Sequence, residues 1–156
     1  MAQKILIAFD SSENAMRVVE YVARVFSTED TVNLFHVFSD TAVLCDMHSP
    51  ELAEYFVAQQ SSFCALEEKK KKHVNESMEK AKTLLLGAGF QEKNIGFKLE
   101  IKKRGIARDI LREAEDGYDL IVIGRRGLSA IAEFFIGSVS QKILNAAKQV
   151  AVLVVS

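Results

Sequence analysis

Gly124, Gly127 and the pair Gly137-Ser138 stand in the spacing G-x2-G-x9-G-S. Glycine lets a backbone approach a ligand closely and takes positive φ without a Cβ penalty. The first glycine closes the apolar run Leu120-Ile121-Val122-Ile123. The last pair opens a helical pattern in which Val139, Ile143, Leu144 and Ala147 share a face. A helix start offers unpaired N–H groups and a partial positive charge. Strand, glycine loop and helix start in that order make a phosphate cradle, and the chemistry they imply is nucleotide binding.

Further residues supply matching chemistry. Amides around Gly124 and Gly127, and those of Ser138, Val139 and Ser140, can donate to phosphate oxygens, and the Ser138 and Ser140 hydroxyls add donors. Arg125 and Arg126 can neutralise phosphate charge. Asp10, followed by Ser11 and Ser12, can accept from a ribose hydroxyl or an adenine amino group, and the Val37 backbone can read the adenine edge. Plainer roles stand beside these. Asp10 also reads as a helix cap, Ser138 as an N-cap, Gly124 as a strand end, and the two arginines as solvated loop residues. His36, inside an apolar strand, reads as a satisfied core histidine, His48 and His73 as exposed, and Phe134 and Phe135 as loop anchors.

Other phosphate and nucleophile motifs are missing. No glycine loop supplies the lysine of G-x4-G-K-[ST], and the turn after the first strand reads Asp10-Ser11-Ser12-Glu13-Asn14 instead of G-x-G-x-x-G. There is no Gly-x-Ser-x-Gly elbow, and no local Cys-His or Ser-His pairing suggests a nucleophile.

The elements that must position these residues alternate between two periods. Ile5 to Phe9 is a continuous apolar run, as in a strand buried on both faces. Asp10 to Ser12 offer cap oxygens, and Ala15, Val18, Val19, Val22 and Phe26 follow at helical spacing. Val32 to Phe38 reads as a second strand and Ile95 to Ile101 as a half-exposed third. Gly105 begins a helix with Ile106, Ile110, Leu111 and Ala114 inward; Tyr118 to Ile123 and Val150 to Val155 are the last strands. Between Ser39 and Gly89 lies more chain than a crossover needs. Pro50 suits a first helical turn, Leu52, Phe56, Phe63 and Leu66 lead to Lys69 through Lys72, and Val74, Met78, Ala81 and Leu85 run on to Gly87. This stretch reads as one long or broken helix whose lysines form a solvated turn, flanked by Glu67, Glu68 and Glu76. The order β-α-β-α-β-α-β-α-β predicts a parallel sheet with helices on both faces. A strand order of 3-2-1-4-5 makes strands one and four neighbours, so motif and switch point select one crevice.

A chain of 156 residues is expected to form one domain over 1–156. Apolar residues at 49%, charged residues at 26% and a net charge of −1 fit a soluble globular protein with no pull toward nucleic acid or membrane. No apolar run approaches the roughly 20 residues of a membrane span, and no signal peptide is visible, so a cytoplasmic protein is expected. Cys45 and Cys64 show no metal spacing and read as reduced thiols, with a disulfide left open.

At these residues the chain resembles the ATP-binding branch of the universal stress protein family. The resemblance rests on Ile5-Leu6-Ile7-Ala8-Phe9-Asp10 with Ser12, Leu34-Phe35-His36-Val37, Tyr118 to Gly124, Gly127 through Gly137-Ser138-Val139-Ser140, and Val152 to Val155. It implies a Rossmann-like five-stranded parallel sheet in the order 3-2-1-4-5 and a homodimer joined through the last strand. It carries Asp10 and Val37 onto adenine or ribose, Ile123, Gly124, Arg126 and Gly127 onto ribose and phosphates, and Gly137 to Ser140 onto the phosphates of ATP with Mg²⁺. Where many members have proline, this chain has Ile106-Ala107 after Gly105, and Gln149-Val150-Ala151 before the last strand. The expected function is nucleotide-dependent regulation in a stress response. A slow ATPase and an interaction module that uses the long middle segment are the alternatives.

Overall fold

A computed structural model describes residues 1–39, 45, 54–126 and 136–156, the side chains of 54–58 excepted. Gly127, His48, Pro50, Leu52, Phe134 and Phe135 therefore lie outside the described residues. Five strands form one parallel sheet: β1 (Lys4–Ala8), β2 (Thr31–Phe38), β3 (Ile95–Ile101), β4 (Leu120–Gly124) and β5 (Ala151–Val155). Their order is β3-β2-β1-β4-β5, as expected, with β1 and β4 in register as Ile5 with Leu120 and Ile7 with Val122.

Helices cover both faces. The α1 helix (Glu13–Val25) and α2 (Glu54–Gly87) lie on one side, where Ile5, Ile7, Val32 and Leu34 meet Val18, Val22, Val74, Met78, Ala81 and Leu85. The α3 helix (Ile106–Ala114) and α4 (Ser138–Ala146) lie on the other, over Leu6, Phe35, Val37, Ile121 and Ile123. Alternate residues of β1 thus feed two cores, which is why its sequence is apolar without a break.

One local expectation of helix burial changes, and the half-exposure expected of the third strand stands. In α3 the buried apolar residues are Ala107, Ile110 and Ala114, while Ile106 is exposed and Leu111 is half-buried. Ile106 lies one turn before Ile110 on the same helix face, at the end of the helix that borders the open cleft, and is exposed there. The third strand is the sheet edge, so Phe97, Leu99 and Ile101 stay about two-fifths exposed on their outward side.

The α2 helix is continuous over 34 residues, about 51 Å at 1.5 Å per residue. The longest strand, with 8 residues, spans only about 26 Å. Val74, Met78, Ala81 and Leu85 bury the carboxyl-terminal half against the sheet, so the amino-terminal half runs on past the carboxyl ends of the strands. Lys70, Lys71 and Lys72 pair with Glu67, Glu68 and Glu76 along the helix, as a solvated turn does.

The expectation of reduced thiols is corrected. Cys45 and Cys64 form a disulfide with Cα atoms 5.5 Å apart. The fold sets Cys45 beside the helix face that carries Cys64, a proximity that a separation of 19 residues does not announce. Alkylating the denatured, unreduced chain should label neither cysteine, and mass spectrometry should find both labelled only after reduction.

Candidate functional site

At the carboxyl edge of the sheet a cleft of about 510 Å³ opens where β1 and β4 lie side by side. That volume falls within the roughly 300–1,000 Å³ of small-molecule sites. Asp10, Ser11, Val37, Ile123, Gly124, Arg126, Gly137, Ser138, Val139 and Ser140 border it. Ser12 and Arg125 do not.

The β1 end is shaped by a short turn. Ser12 N–H donates to Asp10 Oδ1 at 3.0 Å, and the Ser12 hydroxyl donates to the same oxygen. Ser12 Oγ in turn accepts from the Ala15 amide at 3.1 Å, which makes it the N-cap of α1. Capping therefore falls to Ser12, and Asp10 keeps Oδ2 without a donor among the described residues. Ser11 sits between them with φ of 62°, a left-handed conformation rare outside glycine. The Asp10–Ser12 hydrogen bond is the local contact that holds this turn.

The β4 end is tied to α4. Gly137 N–H donates to the Arg125 carbonyl at 2.7 Å, and the Ser140 hydroxyl donates to the Gly124 carbonyl at 2.8 Å. Gly137 is the N-cap and offers no side-chain cap. The first helical bond is Gln141 N–H to Gly137 O, so the Ser138, Val139 and Ser140 amides have no acceptor among the described residues. These donors and the helix dipole face the cleft that all three residues border. The Ser140 hydroxyl proton is already engaged, which leaves its amide as the free donor. The Arg125 backbone is spent on Val155 O and Gly137 N, and its side chain lies off the cleft.

Gly124 has a packing reason to be glycine as well. A Cβ there would stand 3.2 Å from the Arg126 carbonyl oxygen and 3.5 Å from Asn14 Cβ. A side chain there would press on the Arg126 backbone, which would have to give by a few tenths of an ångström, while Asn14 of α1 would stand at ordinary contact distance.

His36 is more than core filling. Its ring borders the cleft, lies edge-on to Phe38 at 4.6 Å, and its Nδ1 is 2.6 Å from the Phe9 carbonyl oxygen. That contact requires a proton on Nδ1, so the neutral ring keeps Nε2 as an acceptor. The cleft has further walls that the motif does not announce. Glu67, Lys70, His73 and Val74 come from α2, and Ile106 and Ile110 from α3. The signal available for α2 was its length: a helical pattern reaching well beyond what a strand-to-strand crossover uses. Among the described residues no group of three or more His, Cys, Asp or Glu side chains is arranged to hold a metal, and no helix is long and apolar enough to cross a membrane.

Burial lowers the His36 pKa below its ordinary 6.5, against the opposing pull of the Phe9 hydrogen bond and the Asp10 charge. A lowered folded value means that the unfolded chain binds the proton more readily. The stability held by the neutral ring is therefore complete above pH 6.5 and is lost as pH falls from there through the folded value. Denaturant unfolding between pH 7.5 and 5 should show this decline, and His36→Asn should flatten it. A proton-NMR titration midpoint of His36 at or above 6.5 would contradict the account.

Comparison with known proteins places this geometry in a wide context. The model of the universal stress protein family matches residues 1–156. A universal stress protein of Mycolicibacterium smegmatis is 27% identical over 151 residues, 96% of this chain and 47% of that protein. The chain thus spans about half the length of that curated relative. A universal stress protein from Lactobacillus plantarum superposes with a TM-score of 0.74 at 17% identity, covering 99% of this chain and 97% of the other. A universal stress protein solved in complex with cAMP gives 0.63 at 17% identity, covering 99% and 95%.

Proposed function

Because the chain belongs to the universal stress protein family, we propose that its cleft binds ATP and that the bound nucleotide sets the protein's conformation or partner affinity. The observation that supports this most is the row of three amides at the start of α4 that have no acceptor among the described residues and border a cleft of ligand size. Asp10 Oδ2 and the end of β2 at Val37 line the same cleft and suit the ribose and adenine. Arg126 brings a cation to the phosphate side. That a structural neighbour was solved with cAMP fits a nucleotide of this class. Mg²⁺ would enter with the phosphates, since hard cations are commonly held by one or two carboxylates together with substrate phosphates.

Regulation is favoured over rapid turnover by the kinds of group that border the cleft. Backbone donors and an arginine suit the triphosphate, and two carboxylates suit donor groups on the rest of the nucleotide. Hydrolysis needs in addition a positioned water and stabilised phosphoryl charge.

Gly137 has φ of −61°, which any residue can adopt, so Gly137→Val should fold normally. It should nevertheless crowd the helix start where phosphate approaches and reduce ATP affinity at least tenfold by titration calorimetry. Unchanged affinity would remove α4 from the site.

A second part of the reading is a homodimer through β5. Ala151 N–H bonds to Asp119 O, and Val155 O accepts from Arg125 N–H, so in a parallel ladder residues 151, 153 and 155 face β4. Val152 and Val154 then point their N–H and C=O groups to the open edge. An apolar edge left unpaired invites association. Val152→Pro would remove one outward donor and leave the β4 ladder whole. Light scattering should show wild type at twice the chain mass and the variant as monomer; a wild-type monomer at micromolar concentration would refute the dimer.

A further inference from the structure

Glu67 is only 4% exposed, yet it carries a carboxylate and borders the cleft. Its Oε1 accepts from Lys70 Nζ at 3.0 Å, one turn along α2. No described residue donates to Oε2. Among the described residues no sealed side-chain oxygen lacks a partner, so Oε2 is the part of this carboxylate left open, on the cleft side, where a bound ligand can supply a donor. The other side of the pair does not compete: the Lys70 side chain is 56% exposed and reaches solvent. Cys64 lies one turn before Glu67, so the disulfide to Cys45 braces this part of the helix.

We infer that Glu67 is a ligand-contacting residue, accepting a hydrogen bond from an amino or hydroxyl group of the bound molecule and so selecting ligands that present a donor toward α2. This rests on the nucleotide reading of the cleft and assigns its orientation. Phosphates are attracted by the α4 amides, while the Lys70-paired Glu67 carboxylate offers them only acceptor oxygens, so they lie at the α4 rim. The uncharged, donor-bearing part of the molecule then faces α2. In an adenine nucleotide the donors are the base amino group and the ribose hydroxyls. A hypoxanthine carbonyl at the amino position would set acceptor against acceptor, and sites built around a buried hydrogen bond reject such analogues strongly.

Titration calorimetry with ATP, inosine triphosphate, 2′-deoxy-ATP and 3′-deoxy-ATP separates the sources. Glu67→Ala should weaken ATP about tenfold, as expected for losing a hydrogen bond to a charged group. The analogue that lacks the contacting donor should bind wild type more weakly and lose nothing further in Glu67→Ala. If the base amino group is the donor, inosine triphosphate is that analogue. Glu67→Gln, which keeps the volume and can donate, should then raise inosine triphosphate relative to ATP. If a ribose hydroxyl is the donor, one deoxy analogue takes that place. Glu67→Gln also carries the test if the alanine variant does not fold. Equal losses for every nucleotide, or wild-type ATP affinity in both variants, would overturn the assignment alone. A wild type that binds none of the four would overturn the nucleotide reading and this assignment with it.

Discussion

Two hydrogen bonds between the end of β4 and the start of α4 hold the site together: Gly137 N–H to Arg125 O and Ser140 Oγ to Gly124 O. They fix where the helix begins and which way its first amides point. Side-chain capping would have consumed one of those amides, and glycine at the N-cap leaves all of them available. Ser140 completes the tie from inside the first turn, so the glycine can stay bare. Burying Ile143 beneath the helix anchors the other end of the arrangement in the core shared by α3 and α4. The anion site proposed here is made of backbone and needs this rigidity, because its donors cannot swing to meet a ligand.

The sheet supplies the second constraint. With order β3-β2-β1-β4-β5, the crossovers from β1 and β4 leave in opposite directions and open a crevice between them. This much was legible in the residues. The unbroken apolar runs of β1 and β4 mark strands covered on both faces, and the 3.6-residue spacing of Ala15, Val18, Val19 and Val22 marks α1, all four of which are buried. Half-exposure of β3 was legible from its alternation, and its place at the sheet edge explains it. Strand ends were read a residue or so off: β4 runs to Gly124 because Gly124 still pairs with Val155.

Less legible was everything set by where a helix happens to project. Spacing within a sequence marks a helix face but not what lies opposite it. Lys70 and His73 fit a solvated helix turn and are exposed, as expected, yet both border the cleft. Glu67 looked like one more flanking acid in a charged run and proves to be almost fully buried. The same limit explains the cysteines, whose proximity depends on the meeting of two distant segments. Ile106 failed for a different reason. It sits on the right helix face, but at the helix start beside the open cleft, and spacing does not mark where along a helix the core ends.

The cleft therefore joins two kinds of wall with different physical properties. Along β4 and α4 the polar groups are main-chain amides, held by ladder and tie hydrogen bonds, and identical for any ligand that presents an anion. Along α2 they are side chains on a part of the helix that extends beyond the sheet. There the helix is held by its own hydrogen bonds, by the run of Val74 and Met78 just below, and by the Cys45–Cys64 bridge. A fixed amide wall gives affinity to a whole class of phosphorylated molecules, since it reads charge and little else. On the proposed nucleotide reading, discrimination within the class falls to groups with directional chemistry that border the cleft, namely Asp10, His36 and Glu67. Of these, Asp10 and His36 are bound to the strand ends by Ser12 and Phe9, whereas among the described residues Glu67 is bound to a neighbour on its own helix. A ligand that engages Glu67 thus couples α2 to the sheet edge. A ligand that touches the amide wall alone does not. Differential contact of this kind is what a nucleotide needs in order to shift one arrangement of the protein over another.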